Sequence, residues 1–303
     1  MNRGRVLKKT TKDKLFSLLL ALPAVAMTVI FILVPVVDSV IKSFTKYQIK
    51  NIISGKPGTW NNFQNYIRLF QNAKLPQAIT NTFIFVIVVV LSAFVLGMVL
   101  SLILNSGVRA AKIIQGIMMT PWVIPTVISA LIWMWLFQPQ YGLVKYLISL
   151  VTGGAVSNLA VLNNPKTALL GISIAALWKQ VPLMTLLLLA GLQNVPEDLL
   201  EAATVDGASR VQKFFHITIP SMRSVISIAV SMSIIENFKQ FPLFWTMTGG
   251  GPDGATTTLA ILSYREAFVS QDLGSGAAVT TVWMLLMIGV ILIYNRVFRR
   301  EQA

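Results

Sequence analysis

Apolar residues fall into six long runs separated by polar segments, near residues 15 to 37, 82 to 104, 113 to 136, 168 to 193, 222 to 246 and 277 to 298. Each is long enough for a helix to cross a hydrocarbon core, which takes about 20 residues. None alternates with the two-residue period of a barrel strand. Only a helix or a closed barrel satisfies its own backbone polar groups in lipid, so the pattern predicts an all-α membrane protein with six transmembrane helices. Six Lys or Arg residues between Arg3 and Lys14 precede the first run, as in a signal peptide. That run is too long for the apolar core of such a peptide, and Val36-Val37-Asp38-Ser39 makes a poor cleavage site, so it reads as a span. The chain then divides into a basic amino-terminal segment, residues 1–14, and one transmembrane domain, residues 15–300.

Basic residues set the orientation, because Lys and Arg near span ends accumulate on the cytoplasmic side. The amino-terminal segment carries six, the link after the second run has Arg109 and Lys112, and Arg296, Arg299 and Arg300 close the last run. The other side carries Lys42, Lys46, Lys50, Lys56, Arg68 and Lys74 in one long loop, then Lys145, Lys166 and Arg265, over about twice the loop length. Both termini and the loop from about 194 to 221 are therefore expected in the cytoplasm. Pro23, Pro35, Pro121, Pro125, Pro182 and Pro242 lie inside runs, where each removes a backbone hydrogen bond. They mark either ordinary curvature or a lined pathway.

Composition narrows the function. Only 12% of the 303 residues are charged, against about 25% in a soluble domain, so the surplus apolar surface must face lipid. The chain has no Cys and one His, which excludes thiol chemistry, disulfides and Cys-ligated metals. The net charge of +14 is dispersed around the apolar runs and forms no stripe of the kind that binds nucleic acid. The eleven carboxylates make no metal cage or acid–base pair, so no enzyme is expected. G-x-x-x-x-G-K-[ST] is absent, so the chain has no phosphate cradle of that type. The run Gly249-Gly250-Gly251-Pro252 lacks the Lys of such a cradle and reads as a turn on the outer side.

The segment EAATVDGASRVQKFFHITIP, residues 201 to 220, predicts two short helices joined by a turn. Pro196 suits a first helical position, Glu197 and Asp198 suit the positive end of a helix dipole, and Gly207 suits the left-handed residue that ends a helix. Leu199, Leu200, Ala202, Ala203 and Val205 give the first helix a small apolar surface. It is either a docking knob for a partner's groove or a re-entrant cap packed on the bundle.

The spacing of Glu201, Ala202, Ala203, Gly207, Ile217 and Pro220, with Ile219 where Leu is usual, resembles the EAA loop of binding-protein-dependent ABC importer permeases. TMTGGGPDGATTT at 246 to 258, NYIRLF around Tyr66 and the Asn81-Thr82 pair resemble its carbohydrate branch, on the MalF/UgpA-like side. The resemblance implies a sugar importer subunit in a bacterial or archaeal cell membrane, paired with a second permease, two ATP-binding subunits and an extracytoplasmic sugar-binding protein. It implies ATPase coupling through Glu201, Ala202, Ala203, Asp206 and Gly207, with ATP bound by the partners and no cofactor in this chain. An ion-coupled secondary carrier using Glu236 is the alternative.

Charged groups inside a span are costly and usually face a partner or a water-filled cavity. Lys179, Glu236 and Lys239 are such groups. Ser233, Glu236, Asn237 and Gln240 recur at helical spacing, and Lys179, Gln180 and Leu183 do the same on the fourth run. At 1.5 Å per residue, Lys179 and Glu236 fall at similar depth, about 16 and 15 Å from the outer ends of their helices. They form either an ion pair or part of a translocation path. The resemblance adds that substrate contacts of the maltose permease fall at positions matching Lys179, Gln180, Leu183, Ser233, Glu236 and Asn237. Ser233 and Asn237 keep sugar-binding residue types there, and the other four do not.

Overall fold

The computed structural model describes residues 11–153 and 160–300, so Arg3, Arg5, Lys8 and Lys9 of the basic segment lie outside the described residues. Among the described residues, four helices are long and apolar enough to cross a membrane: Phe16–Ser43, Lys74–Asn105, Ala168–Leu192 and Leu273–Val297. Two further pairs pass only when taken together, Ala111–Val123 with Thr126–Leu136, bent by 94°, and Arg210–Ser221 with Arg223–Phe238, bent by 71°.

The fourth run matches its helix closely, whereas the third and fifth are not the continuous helices their hydropathy predicts. Pro125 has no N–H to donate and pushes the residue before it out of the helical region. Ile124 accordingly sits at φ −60°, ψ 132°, and the chain turns there. The fifth helix stops at Phe238 and a new short helix, Pro242–Met247, begins after three residues. Pro242 cannot donate to the carbonyl four residues back, that of Phe238, and its ring crowds it. Other prolines are absorbed without a break. A wider π-type turn at Val29–Leu33 directly precedes the turn that holds Pro35 and lets the helix continue past the missing donor.

Packing follows residue size. Second and fourth helices cross closely through Val89, Ala93, Gly97, Ala175 and Ala176, all buried. Lipid is as apolar as Leu, so such contacts depend on van der Waals fit, and small residues allow it. A central cluster adds Phe85, Ile172, Phe238, Leu243, Phe244 and Ile261. Toward the end that carries residues 194–222, Met98, Met184, Leu188, Leu192, Met222 and Ile226 form a second cluster. Leu69, Leu75, Ala78, Leu259, Leu262 and Val279 form a third at the opposite end. The first helix contributes no buried residue over its apolar window and packs mainly on Leu273–Arg300 through Val34–Ser43.

The end with the third cluster is closed by two polar pieces. Strands Thr45–Lys46 and Thr59–Trp60 pair antiparallel, and the Asn65 amide donates to the carbonyls of Ser43 and Thr45, both at 2.9 Å. The Gly-rich run is a folded turn, as its sequence predicts. Thr257 Oγ1 donates to Gly250 O at 3.0 Å and Arg265 to Gly249 O at 2.7 Å. Asn81 of the second helix donates to Gly254 O and Thr257 O at 3.2 and 3.0 Å, and Thr82 Oγ1 accepts from Leu259 N. Two motifs far apart in sequence thus form one hydrogen-bonded unit.

Candidate functional site

Both helix breaks open onto one cavity of about 570 Å³, within the usual size range of small-molecule sites. Trp122 and Thr126 flank the break in the third run, and Lys239, Gln240 and Pro242 come from the break in the fifth. Lys179, Gln180, Ser233 and Glu236 complete the polar part of the wall, while Leu183, Met184, Leu187, Ala229 and Met232 supply the apolar part. Five of the six pathway residues expected from the sequence therefore share one surface. Trp122 and Thr126 were not singled out by their residue types; Pro121 and Pro125 were the signal that this stretch faces the cavity.

Asn237 is the exception. It is 2% exposed and lies behind the wall, where it exchanges two 2.8 Å hydrogen bonds with Gln180. Its amide also donates to Ser233 O at 2.8 Å. The Asn237 side chain is thereby satisfied and fixes Gln180 in place; it does not face the cavity. Replacing it with Leu leaves the Gln180 amide without its partner, and such losses cost about 1–3 kcal/mol. An Asn237→Leu variant is expected to melt measurably earlier in detergent. Ser233→Ala should shift it less, because the contacts of Ser233 Oγ with Gln180 and Asn237 are both 3.4 Å.

The Lys179–Glu236 ion pair, one of the two readings the sequence leaves open, is not formed. Glu236 pairs with Lys239 at 2.8 Å, three residues along its own chain. Lys179 Nζ instead donates to Trp122 O at 3.1 Å and to Ile124 O. Pro125 is the physical reason: the turn it imposes leaves these carbonyls without helical donors, and an ammonium at a helix carboxyl end is favourable. The distance of about 15 Å expected between Glu236 and the outer end of its helix is corrected, since Glu236 lies two residues from the end of Arg223–Phe238.

At the end carrying residues 194–222, helix Glu197–Val205 stands clear of the bundle. Pro196 precedes its first residue rather than occupying it, and Glu197 and Asp198 fill the first turn. Gly207 ends the helix at φ +80°, with its N–H donated to Thr204 O and that of Ala208 to Ala203 O. Ser209 and Gln212 cap the next helix reciprocally. Leu200, Phe214 and Ile219 anchor the loop on the second cluster. Leu199 at 51% and Val205 at 88% exposure project outward, as do Glu201, Ala202, Asp206 and Gly207, while Ala203 is half-buried. A packed re-entrant cap would have buried these groups. His216 is exposed and bonds only within its own turn, to Gln212 O.

Long apolar helices around a cavity made at helix breaks fit a membrane transport protein, since non-helical backbone among spanning helices is tolerated where it is buried in protein or lines a cavity. The chain belongs to the family described as binding-protein-dependent transport system inner membrane component, whose match covers residues 93–302. It is a membrane transport subunit and not an enzyme. It is 32% identical to the trehalose/maltose transport system permease protein MalF of Thermococcus litoralis, over 99% of this chain and 100% of that protein. It is 31% identical to the sulfoquinovosyl glycerol transport system permease protein SmoG of Agrobacterium fabrum, over 95% and 92% of the two chains. A chain from a bacterial ABC transporter that imports the acidic polysaccharide alginate shares the fold, with a TM-score of 0.80 over 98% of this chain and 99% of that one at 22% identity. Membership in this family does not favour the ion-coupled carrier.

Proposed function

We propose that this chain is one permease subunit of an ATP-driven importer of saccharides or saccharide derivatives. End-to-end similarity to a trehalose/maltose permease carries the reading. Residues 15–300 form the transmembrane domain and cross the membrane six times, the third crossing made by the bent pair Ala111–Val123 with Thr126–Leu136 and the fifth by Arg223–Phe238 with the short helix Pro242–Met247. Both termini, the basic segment 1–14 and the loop 194–221 lie in the cytoplasm, consistent with the distribution of Lys and Arg. The chain pairs with a second permease, two ATP-binding subunits sit beneath, and an extracytoplasmic sugar-binding protein delivers the substrate. The outward-facing Leu199, Glu201, Val205 and Gly207 support a coupling helix seated in the ATPase. The cavity at the two helix breaks supports a translocation path lined by Lys179, Gln180, Leu183, Ser233 and Glu236. ATP binding closes the ATPase pair, the coupling helix moves with it, and the path switches its opening from one face to the other.

Affinity purification of the tagged chain from its native membrane in mild detergent, followed by mass spectrometry, tests the assembly. A second permease and an ATPase are expected in the eluate, with the ATPase reduced at least about tenfold by Glu201→Lys, because charge reversal at a docking face typically costs more than 1.4 kcal/mol. Recovery of the chain alone, with uptake by the purified single protein, would instead establish a self-sufficient carrier.

A further inference from the structure

We infer that the cavity at the two helix breaks selects a saccharide or polyol bearing an anionic group. The inference rests on reading that cavity as the translocation path and adds its substrate class. Three charged side chains line the cavity: Lys179, Glu236 and Lys239. The 2.8 Å pair of Glu236 with Lys239 cancels two of them. Lys179 has no carboxylate partner, and its two bonds go to the backbone carbonyls of Trp122 and Ile124. Carbonyls at a helix end carry at most about half an elementary charge, so the wall keeps a positive excess. An ammonium has three donors. Two are committed to those carbonyls, and the third is uncommitted, on a side chain that contributes to the cavity lining.

The remainder of the wall suits hydroxyl groups. Gln180 is held rigidly by Asn237, and Gln240, Ser233 and Thr126 add further donors and acceptors around the half-exposed Glu236–Lys239 pair. Trp122 adds an aromatic ring to the same wall. Neutral hydroxyl groups gain hydrogen bonds here, but they leave the Lys179 charge uncompensated as water leaves the site. A carboxylate, phosphate or sulfonate compensates it with a charge-assisted bond, which is roughly twice as strong as a neutral one. Because the ammonium also caps the carbonyls at the bend of the third run, an anion on Lys179 contacts the group that holds that bend.

The test uses the complete importer in nanodiscs without its binding protein, so that the permease alone sets the preference. Equilibrium binding of radiolabelled glucose, glucuronate, glucose 6-phosphate and glucose 6-sulfonate is measured. At least one anionic probe is expected to bind about tenfold tighter than glucose, equivalent to about 1.4 kcal/mol. Lys179→Arg should retain the preference and Lys179→Met should abolish it. Since Lys179→Met also removes the cap on Trp122 and Ile124, Glu236→Gln supplies an independent arm: it frees Lys239 and should strengthen the anion preference. Glucose binding equal to or tighter than every anionic probe would overturn the charge inference and leave the translocation path standing. A preference unmoved by both Lys179→Met and Glu236→Gln would overturn it as well. No binding of any probe up to its solubility limit would overturn the path reading and the charge inference together.

Discussion

A Gly207→Asp variant is expected to insert and fold normally yet lose ATP-driven uptake. Gly207 sits at φ +80°, and a Cβ built there meets nothing within 4 Å, so the substitution creates no clash within the chain. Its cost inside the chain is the left-handed conformation, about 1–2 kcal/mol for an ordinary side chain and less for Asp or Asn. The consequence lies outside the chain, where a new carboxylate joins the exposed Glu201 and Asp206 on the face proposed above to dock on the ATPase. A buried, unpaired charge at a docked surface costs several kcal/mol, enough to reduce coupled transport by a hundredfold or more. Gly207→Asn tolerates the same backbone without the charge and should keep a substantial part of the uptake. Substrate uptake into proteoliposomes of the assembled transporter, scored against membrane expression, separates the outcomes. Normal uptake by a fully expressed Gly207→Asp protein would remove the coupling role from this turn.

The second large effect lies in the membrane. A Cβ at Gly97 would come 2.7 Å from Met184 Cγ and 3.2 Å from Thr185 N on the facing helix. Gly97→Ala forces Met184 to shift, and overpacking of this kind costs about 1–3 kcal/mol. Gly97→Leu pushes against the backbone as well and is expected to separate the second and fourth helices. Thermal stability in detergent and monodispersity on size exclusion should show a moderate loss for Ala and little folded protein for Leu. Met184→Ala should restore part of the Gly97→Ala loss by removing the side chain in contact, but it cannot restore Gly97→Leu, where the obstacle includes the Thr185 amide. Because Lys179, Gln180 and Leu183 lie on the same fourth helix, the surviving Gly97→Ala protein should also bind substrate more weakly.

These contacts show which parts of the protein can be read from residue order. The six apolar runs, the Gly207 turn and the short helix before it depend on local properties: hydropathy, backbone freedom and a short spacing of residue types. They are legible because lipid requires each spanning segment to satisfy its own backbone. The polar stripes around Lys179 and Glu236 were legible for a related reason, since helical period places i, i+3 and i+4 on one face. Their partners were not. Lys179 and Glu236 are opposite charges at similar inferred depth, and pairing them is one of the two readings that residue order leaves open. The fold instead gives Glu236 a neighbour on its own chain, Lys239, and gives Lys179 the carbonyls exposed by Pro125.

The sequence by itself determined a helical membrane protein, its approximate apolar runs, the absence of the G-x-x-x-x-G-K-[ST] motif and the position of a short helix that ends at Gly207. Tertiary structure decided that the breaks at Pro125 and Pro242 meet at one cavity, that Asn237 supports the wall from behind, and that the Lys179 charge has no carboxylate partner. The division has a physical cause. Span formation is a local balance between each segment and the lipid, whereas a polar group inside the bundle takes whichever donor, acceptor or charge the packing brings within about 3 Å, and that neighbour comes from a distant part of the chain.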